Sequence, residues 1–206
     1  MLGSRMLLRL SSVRAAMRYC CSSGQVLHPS CVVASLLYDL AVIVDFRHCI
    51  TEAHWTSLYQ RFADLDVSVL VNNVGINLTE HFNATPLSFL LDVIAVNCAP
   101  QALLSRLVVN AMLARSQRSA IISVSSVAGM RPLLYLAPYS ATKAFNDFFS
   151  RSLALECSEN IDVLSLRPGY VVSNMSKLTT KGGFVLDRYV RTANYLADIC
   201  DAHYAN

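Results

Sequence analysis

Short runs rich in Val and Ile alternate along this chain with longer stretches of helical character, and this alternation restricts the fold more than any other feature. The runs Ala41–Val44, Val67–Val71, Ala120–Val124 and Ile161–Leu166 have the length and β-branched content of buried parallel strands. Helical stretches separate them over Glu52–Ala63, Ser88–Leu113 and Tyr139–Glu156, and a last one is expected near Leu186–Ala197. Strand and helix in strict alternation predict an α/β fold, a doubly wound parallel sheet with helices on both faces.

Composition agrees with a buried sheet. The 206 residues are 54% hydrophobic and 15% charged, which excludes a disordered chain and suits a single domain. No run reaches the roughly 18 apolar residues of a membrane span; the best candidate, Cys31–Val44, carries Asp39. No transmembrane span is therefore expected. The net charge of +3 is concentrated at the front, because Arg5, Arg9, Arg14 and Arg18 lie in a 30-residue segment without an acid. The rest holds 13 basic and 14 acidic residues, a neutral body that argues against a nucleic-acid groove. Seven cysteines, an odd count with Cys20 and Cys21 adjacent, read as reduced thiols. The five histidines lack ligand spacing, so no metal site is expected.

Residues 1–30, rich in Arg and Ser, read either as a mitochondrial leader or as an unrelated upstream stretch, and residues 31–206 as the catalytic domain. In a doubly wound sheet the ligand crevice lies beyond the carboxyl ends of the strands. After Val71 comes Asn72-Asn73-Val74-Gly75, where the glycine permits a tight turn and close backbone approach; an ordinary Asn/Gly turn would explain it equally well. Strand Ala120–Val124 leads into Ser125-Ser126, and a helix follows with Tyr139-Ser140-Ala141-Thr142-Lys143. Tyr139 and Lys143 are four apart and share one helix face. An ammonium there is expected to lower the pKa of the phenol, making Tyr139 a usable proton donor and acceptor, while a serine hydroxyl holds a carbonyl oxygen beside it. The plainer alternative is a Tyr and a Lys snorkelling from a helix, with serine capping a strand.

VNNVG, then Asn97, then SVSS, then YSATK, in that order and spacing, resemble the short-chain dehydrogenase/reductase family. LVNNVG and YSATKAFNDFFSRSL are similar to its steroid dehydrogenase and very-long-chain 3-oxoacyl-CoA reductase branch, and the resemblance runs from about Val44 to Tyr189. It implies a Rossmann-like fold and an NAD(P)-dependent oxidoreductase, NADP being favoured, that acts on a carbonyl or hydroxyl of a lipid-like substrate such as a steroid or 3-oxoacyl chain. Tyr139 would be the general acid/base and Ser126 the hydroxyl that orients the carbonyl. Lys143 would lower the tyrosine pKa and bind the nicotinamide ribose, and Asn97 would hold a water in the proton relay. Asn72 and Gly75 match the turn beside the cofactor, and Asp45 the acid that contacts adenine. Pro168 and Ser173 fall in the segment covering the nicotinamide, with Ser173 where threonine is usual. The resemblance also implies an endoplasmic-reticulum address and, among the helices, a surface for homo-oligomers.

The front departs from the family pattern. Two βαβ units ahead of Asp45 would need about 60 residues, where the sequence has 44, and Gly3 and Gly24 are the only glycines before Gly75. The expectation is a domain lacking the first strand and the glycine-rich phosphate turn. A different class of reading follows: a catalytically inactive truncated isoform or gene-model fragment that cannot bind cofactor.

Overall fold

Strands form where β-branched residues can be covered on both faces, and β4, Ser119–Val124, satisfies this most completely: Ser119, Ile121, Ile122 and Ser123 are all buried. It is the middle strand of a three-stranded parallel sheet, flanked by β3, Val69–Asn72, and β5, Ile161–Leu166. The registers pair Val71 with Ile122 and Ser123 with Ser165. The computed structural model describes residues 30–35, 40–157, 159–171 and 185–186. Asp45–Pro168 make up one compact unit, and this sheet is its centre. Strands β1, Ser30–Ser35, and β2, Leu40–Asp45, pair with each other, and β6, Tyr170–Val171, pairs in parallel with β7, Val185–Leu186.

The helices lie close to their expected ranges. Helix α1 covers Glu52–Gln60, its amino end capped by the Thr51 hydroxyl, which accepts from the His54 amide at 3.4 Å. It ends three residues before the expected Ala63, and residues 61–64 form turns instead. Phe46 stacks on Trp55 at 5.4 Å between ring centroids, and the Trp55 indole donates to the Cys49 carbonyl. Helix α4, Ala137–Cys157, crosses from β4 to β5 as a parallel connection requires. The helix expected from Leu186 is not found at its first residue, which belongs to β7, and its remainder lies outside the described residues.

The single helix expected over Ser88–Leu113 is two: α2, Leu87–Asn97, and α3, Ala99–Leu113, with the break at Cys98. Pro100 is the cause. In an unbroken helix its ring would meet the carbonyl four residues back, whereas in the first turn of α3 it is tolerated. By length and composition alone Leu87–Leu113, with mean hydropathy 1.6 over its apolar window, is long and apolar enough to cross a membrane, but it is two helices with a break at Cys98. Part of that apolarity faces inward, while Leu87, Leu91 and Ile94 are exposed. Val93, Val96, Leu104, Val108 and Met112 are buried, and so are three polar residues, Asn97, Gln101 and Ser105, that hydrogen-bond into the rest of the domain.

Helix α4 is fastened to β5 by Asp147. Its carboxylate accepts from the Ser165 hydroxyl and from Arg167 Nε, both at 2.6 Å, with Arg151 at 3.8 Å. Burial alone would raise this carboxyl, but the bonds from Ser165 and Arg167 and the two guanidinium charges outweigh it, and the net shift is downward. A carboxyl whose folded pKa is depressed stabilises fully above its unfolded value, about 3.9, and loses that contribution as pH falls through the folded one. Asp147→Asn should therefore cost about 1–3 kcal/mol at pH 7, and the difference should shrink in denaturant titrations below pH 4. A difference that held constant down to pH 2 would mean that the charge of Asp147 is not what ties α4 to β5.

Candidate active site

The carboxyl ends of β3, β4 and β5 meet α4 at its first two turns, and the polar residues of the domain gather there. Ser126 follows β4 in extended conformation and caps a short 3-10 helix, Val127–Gly129; its Oγ accepts from the Ala128 amide at 3.2 Å. One lone pair is thereby committed, and the hydroxyl proton remains free to donate. The hydroxyl is near enough to the Tyr139 phenol to draw the phenol pKa downward. Pro168, at the end of β5, accepts at its carbonyl from the Val127 amide at 3.0 Å.

Lys143 lies one turn after Tyr139 and is 4% exposed. Its Nζ donates to the Val124 carbonyl at 2.7 Å and sits 5.7 Å from the centroid of the Tyr139 ring. Desolvation lowers its pKa to about 8, opposed by the nearby Cys98 thiol. The expected lowering of the tyrosine pKa by this ammonium is not what the structure has. Burial pushes the Tyr139 phenol above its ordinary value, and the Ser126 hydroxyl is what pulls it back. The Lys143 charge lies over the ring and points at a backbone carbonyl, where it does little for the phenol oxygen.

Asn97, 1% exposed, has its side chain fully engaged. Oδ1 accepts from the Ile76 amide at 2.8 Å, and Nδ2 donates to the Ile76 carbonyl at 3.1 Å and to Thr142 Oγ1 at 3.0 Å. Thr142 in turn donates to the Tyr139 carbonyl at 2.8 Å. Asn97 therefore clamps the turn after β3 onto α4, and this side chain has no amide proton left for a water. Gly75 lies within that clamped turn: a Cβ there would stand 3.5 Å from both Lys143 Nζ and Asn97 Oδ1. Asn72 Nδ2 donates to Ser105 Oγ at 3.1 Å, joining β3 to α3. Asn72 thus ends β3 with Gly75 in the turn after it, Ser126 and Pro168 follow β4 and β5, Asn97 ends α2, and Tyr139 and Lys143 lie on α4.

Asp45 ends β2 and is engaged differently from the expectation. Its carboxylate accepts from Arg47 Nε, Nη2 and backbone amide, and side-chain bonding to Arg47, opposed by burial, holds its pKa at about 2. Ser173 lies outside the described residues. Sequence reasoning missed Thr142, although it stands inside YSATK, and it missed a clasp between the loop after β3 and the loop before α4. There the Glu80 amide donates to the Tyr135 carbonyl, and the His81 and Tyr135 rings meet edge to face at 4.6 Å. Tyr135 holds φ at 64°, a left-handed conformation that tyrosine rarely adopts and that no sequence signal announced.

The short chain dehydrogenase family profile matches residues 48–182, more than half of the chain, and the chain belongs to this family. It is 43% identical over 137 residues to a very-long-chain 3-oxoacyl-CoA reductase of Anas platyrhynchos, covering 63% of this chain and 43% of that protein. An inactive hydroxysteroid dehydrogenase-like protein 1 of Rattus norvegicus is 35% identical over 149 residues, 71% of this chain and 43% of its own. A solved structure from Beutenbergia cavernae, described as an NAD(P)-dependent gluconate 5-dehydrogenase with NADP bound at low occupancy, superimposes with a TM-score of 0.59 at 28% identity. It covers 66% of this chain and 53% of that one. The chain spans less than half the length of the curated relatives it matches.

A buried ammonium costs stability, and this yields a direct check. The fall of Lys143 from 10.5 to about 8 corresponds to roughly 3 kcal/mol against the charged form, offset by about 1–2 kcal/mol for the bond to Val124. Lys143→Met should therefore be about 1–2 kcal/mol more stable than the native chain at pH 7. The penalty is fully present below the folded pKa and vanishes as pH rises through the unfolded one, so the gain should disappear between pH 8 and 10.5. A Lys143→Met chain less stable than the native one at pH 7 would contradict this account of the buried charge.

Proposed function

We propose that this chain carries the catalytic half of an NAD(P)-dependent oxidoreductase that interconverts a carbonyl and a hydroxyl on a lipid-like substrate, a steroid or a 3-oxoacyl chain. The observation that carries the reading is Lys143, buried one turn after Tyr139 with its Nζ 5.7 Å from the Tyr139 ring centroid and bonded to the Val124 carbonyl, two residues before Ser126. A phenol with a raised pKa is protonated at neutral pH, so Tyr139 is ready to donate to a carbonyl oxygen as negative charge develops on it. Ser126, its lone pair held by Ala128, donates to the same oxygen and fixes its position. Lys143, protonated below about pH 8, lies 5.7 Å from the Tyr139 ring centroid and would offer its remaining protons to the cofactor.

A nicotinamide dinucleotide supplies the hydride when bound. The residues present fit its ribose end. One Lys143 proton is spent on Val124, leaving two for hydroxyls, and the missing side chain of Gly75 keeps the approach to Nζ open. Tyr139 and Lys143 would hold the ribose, with Asn72, Gly75, Pro168 and Ser173 around the nicotinamide and Asp45 near the adenine. NADP is the form favoured by resemblance. Asn97 acts first as the clamp on the Gly75–Ile76 turn, and a relay water would have to be held by backbone at the α2–α3 break. The exposed Phe145, Phe148 and Leu155 of α4 support pairing of helices between copies. Of the two addresses expected, resemblance to the long-chain reductase branch favours the endoplasmic reticulum over the mitochondrion.

A second reading has its own support: the chain is a non-catalytic member of the family. The glycines before Gly75 are Gly3 and Gly24, neither in a phosphate-turn pattern, and among the described residues β3 has a sheet neighbour on one side only. Mutation separates the two readings if the chain is supplied with the glycine-rich front half of an active relative. On the catalytic reading, Tyr139→Phe should then lower turnover of a 3-oxoacyl thioester at least about 100-fold with cofactor affinity within a few-fold. Lys143→Ala should weaken both affinity and turnover. Retained turnover in Tyr139→Phe would remove Tyr139 from the chemistry.

A further inference from the structure

Lys143 is held through its own peptide group as well as through its ammonium. The Ser125 hydroxyl donates to the Lys143 carbonyl at 2.6 Å, within the buried interface between β4 and α4. Gly129, at the end of the 3-10 helix, lies against the same peptide. A Cβ on Gly129 would stand 2.6 Å from both the carbonyl carbon and the oxygen of Lys143 and 2.9 Å from the Ala144 nitrogen. Real Cβ atoms essentially never approach backbone so closely, and backbone in mid-helix cannot step aside as the end of a flexible side chain can. The glycine is therefore required here for close approach, in a chain with only seven glycines in all.

The connectivity gives this contact its meaning. Residues 124 to 129 are one continuous segment that includes Ser126, and within it the Val124 carbonyl receives the Lys143 ammonium, Ser125 bonds the Lys143 carbonyl, and Gly129 seats on the Lys143 peptide. The segment is closed on itself, since the Gly129 amide donates to the Ser126 carbonyl at 3.0 Å. A displacement at Gly129 would thus be passed to Ser126 three residues away. On the other side the Ser125 amide donates to the Leu166 carbonyl at 2.8 Å, which anchors the segment to β5.

We propose that Ser125 and Gly129 are positioning residues that seat α4 at the Lys143 peptide and so set where the Lys143 ammonium and the Tyr139 phenol stand relative to Ser126. Their contacts on α4 are with the Lys143 peptide and its neighbour, and they act through Lys143. The functional consequence rests on the reading of this site as catalytic, but the seating itself can be measured without turnover.

The chain has three lysines, Lys143, Lys177 and Lys181, so carbon-13 labelling at lysine Cε and NMR titration resolves each, with Lys143→Met assigning the resonance of interest. The titratable groups near the ammonium are Tyr139 on the same helix and Cys98 at the α2–α3 junction, and both remain intact in the variants. In the native chain the Lys143 midpoint should fall near 8. Gly129→Ala should push the segment off α4, admit water beside the ammonium and move the midpoint upward toward the ordinary lysine value. Ser125→Ala, which adds no bulk, should move it in the same direction by less. Met112→Ala, a core truncation on α3, controls for instability and should lower the melting temperature without moving the midpoint. A native midpoint in folded Gly129→Ala or in Ser125→Ala overturns the proposal, and if Gly129→Ala does not fold, Ser125→Ala decides alone. The two claims fail separately: turnover retained in Tyr139→Phe would overturn the functional reading and leave the Lys143 midpoints unaffected.

Discussion

The burial of one ammonium group organises the end of this domain where the strands meet α4. Lys143 is 4% exposed, and its Nζ has the Val124 carbonyl at 2.7 Å as its close polar partner. A charge so placed is expensive unless its surroundings are fixed, because a partner that drifts leaves a desolvated ion unpaired. The strand end, the serine pair and Gly129 on one side, and the Asn97–Thr142 clamp on the other, hold α4 where that single bond can be made. The polar residues buried in this unit are better understood as parts of this mounting than as a hydrophilic patch.

Periodicity and spacing made much of this legible. Ile161–Leu166 matches the expected strand residue for residue, and the four-residue separation of Tyr139 and Lys143 places both on one face of α4 as a helix must. The Pro100 break was equally readable, since proline cannot continue a helix past its first turn, but the apolar periodicity of Leu87–Leu113 runs straight through it. Other features had no local signal. The upward shift of Tyr139 depends on burial and on where the lysine points, neither of which spacing encodes. The need for glycine at position 129 exists only once α4 has packed against the segment after β4. The left-handed Tyr135 is likewise imposed by its contacts with Glu80 and His81 rather than by its own preference.

The two ends of a dinucleotide place different demands on a protein, and this chain meets them unequally. Binding a ribose asks for a cation and a close backbone approach, and Lys143 with Gly75 offers both. Binding a pyrophosphate asks for several amides converging at a glycine turn and a helix amino terminus, and the positions of the glycines in this sequence give no such turn. Relatives that the chain spans for less than half their length include one named as a reductase and one named as inactive.

Titration calorimetry of NADPH against soluble, monodisperse protein of residues 1–206 tests that division most directly. Each charge-assisted hydrogen bond from a phosphate turn is worth about 1.5–3 kcal/mol, and losing two or three of them would carry a micromolar site past millimolar. The account predicts no measurable heat of binding at micromolar to sub-millimolar NADPH. A micromolar dissociation constant would contradict it, and would mean that this chain builds a pyrophosphate site without the glycine turn.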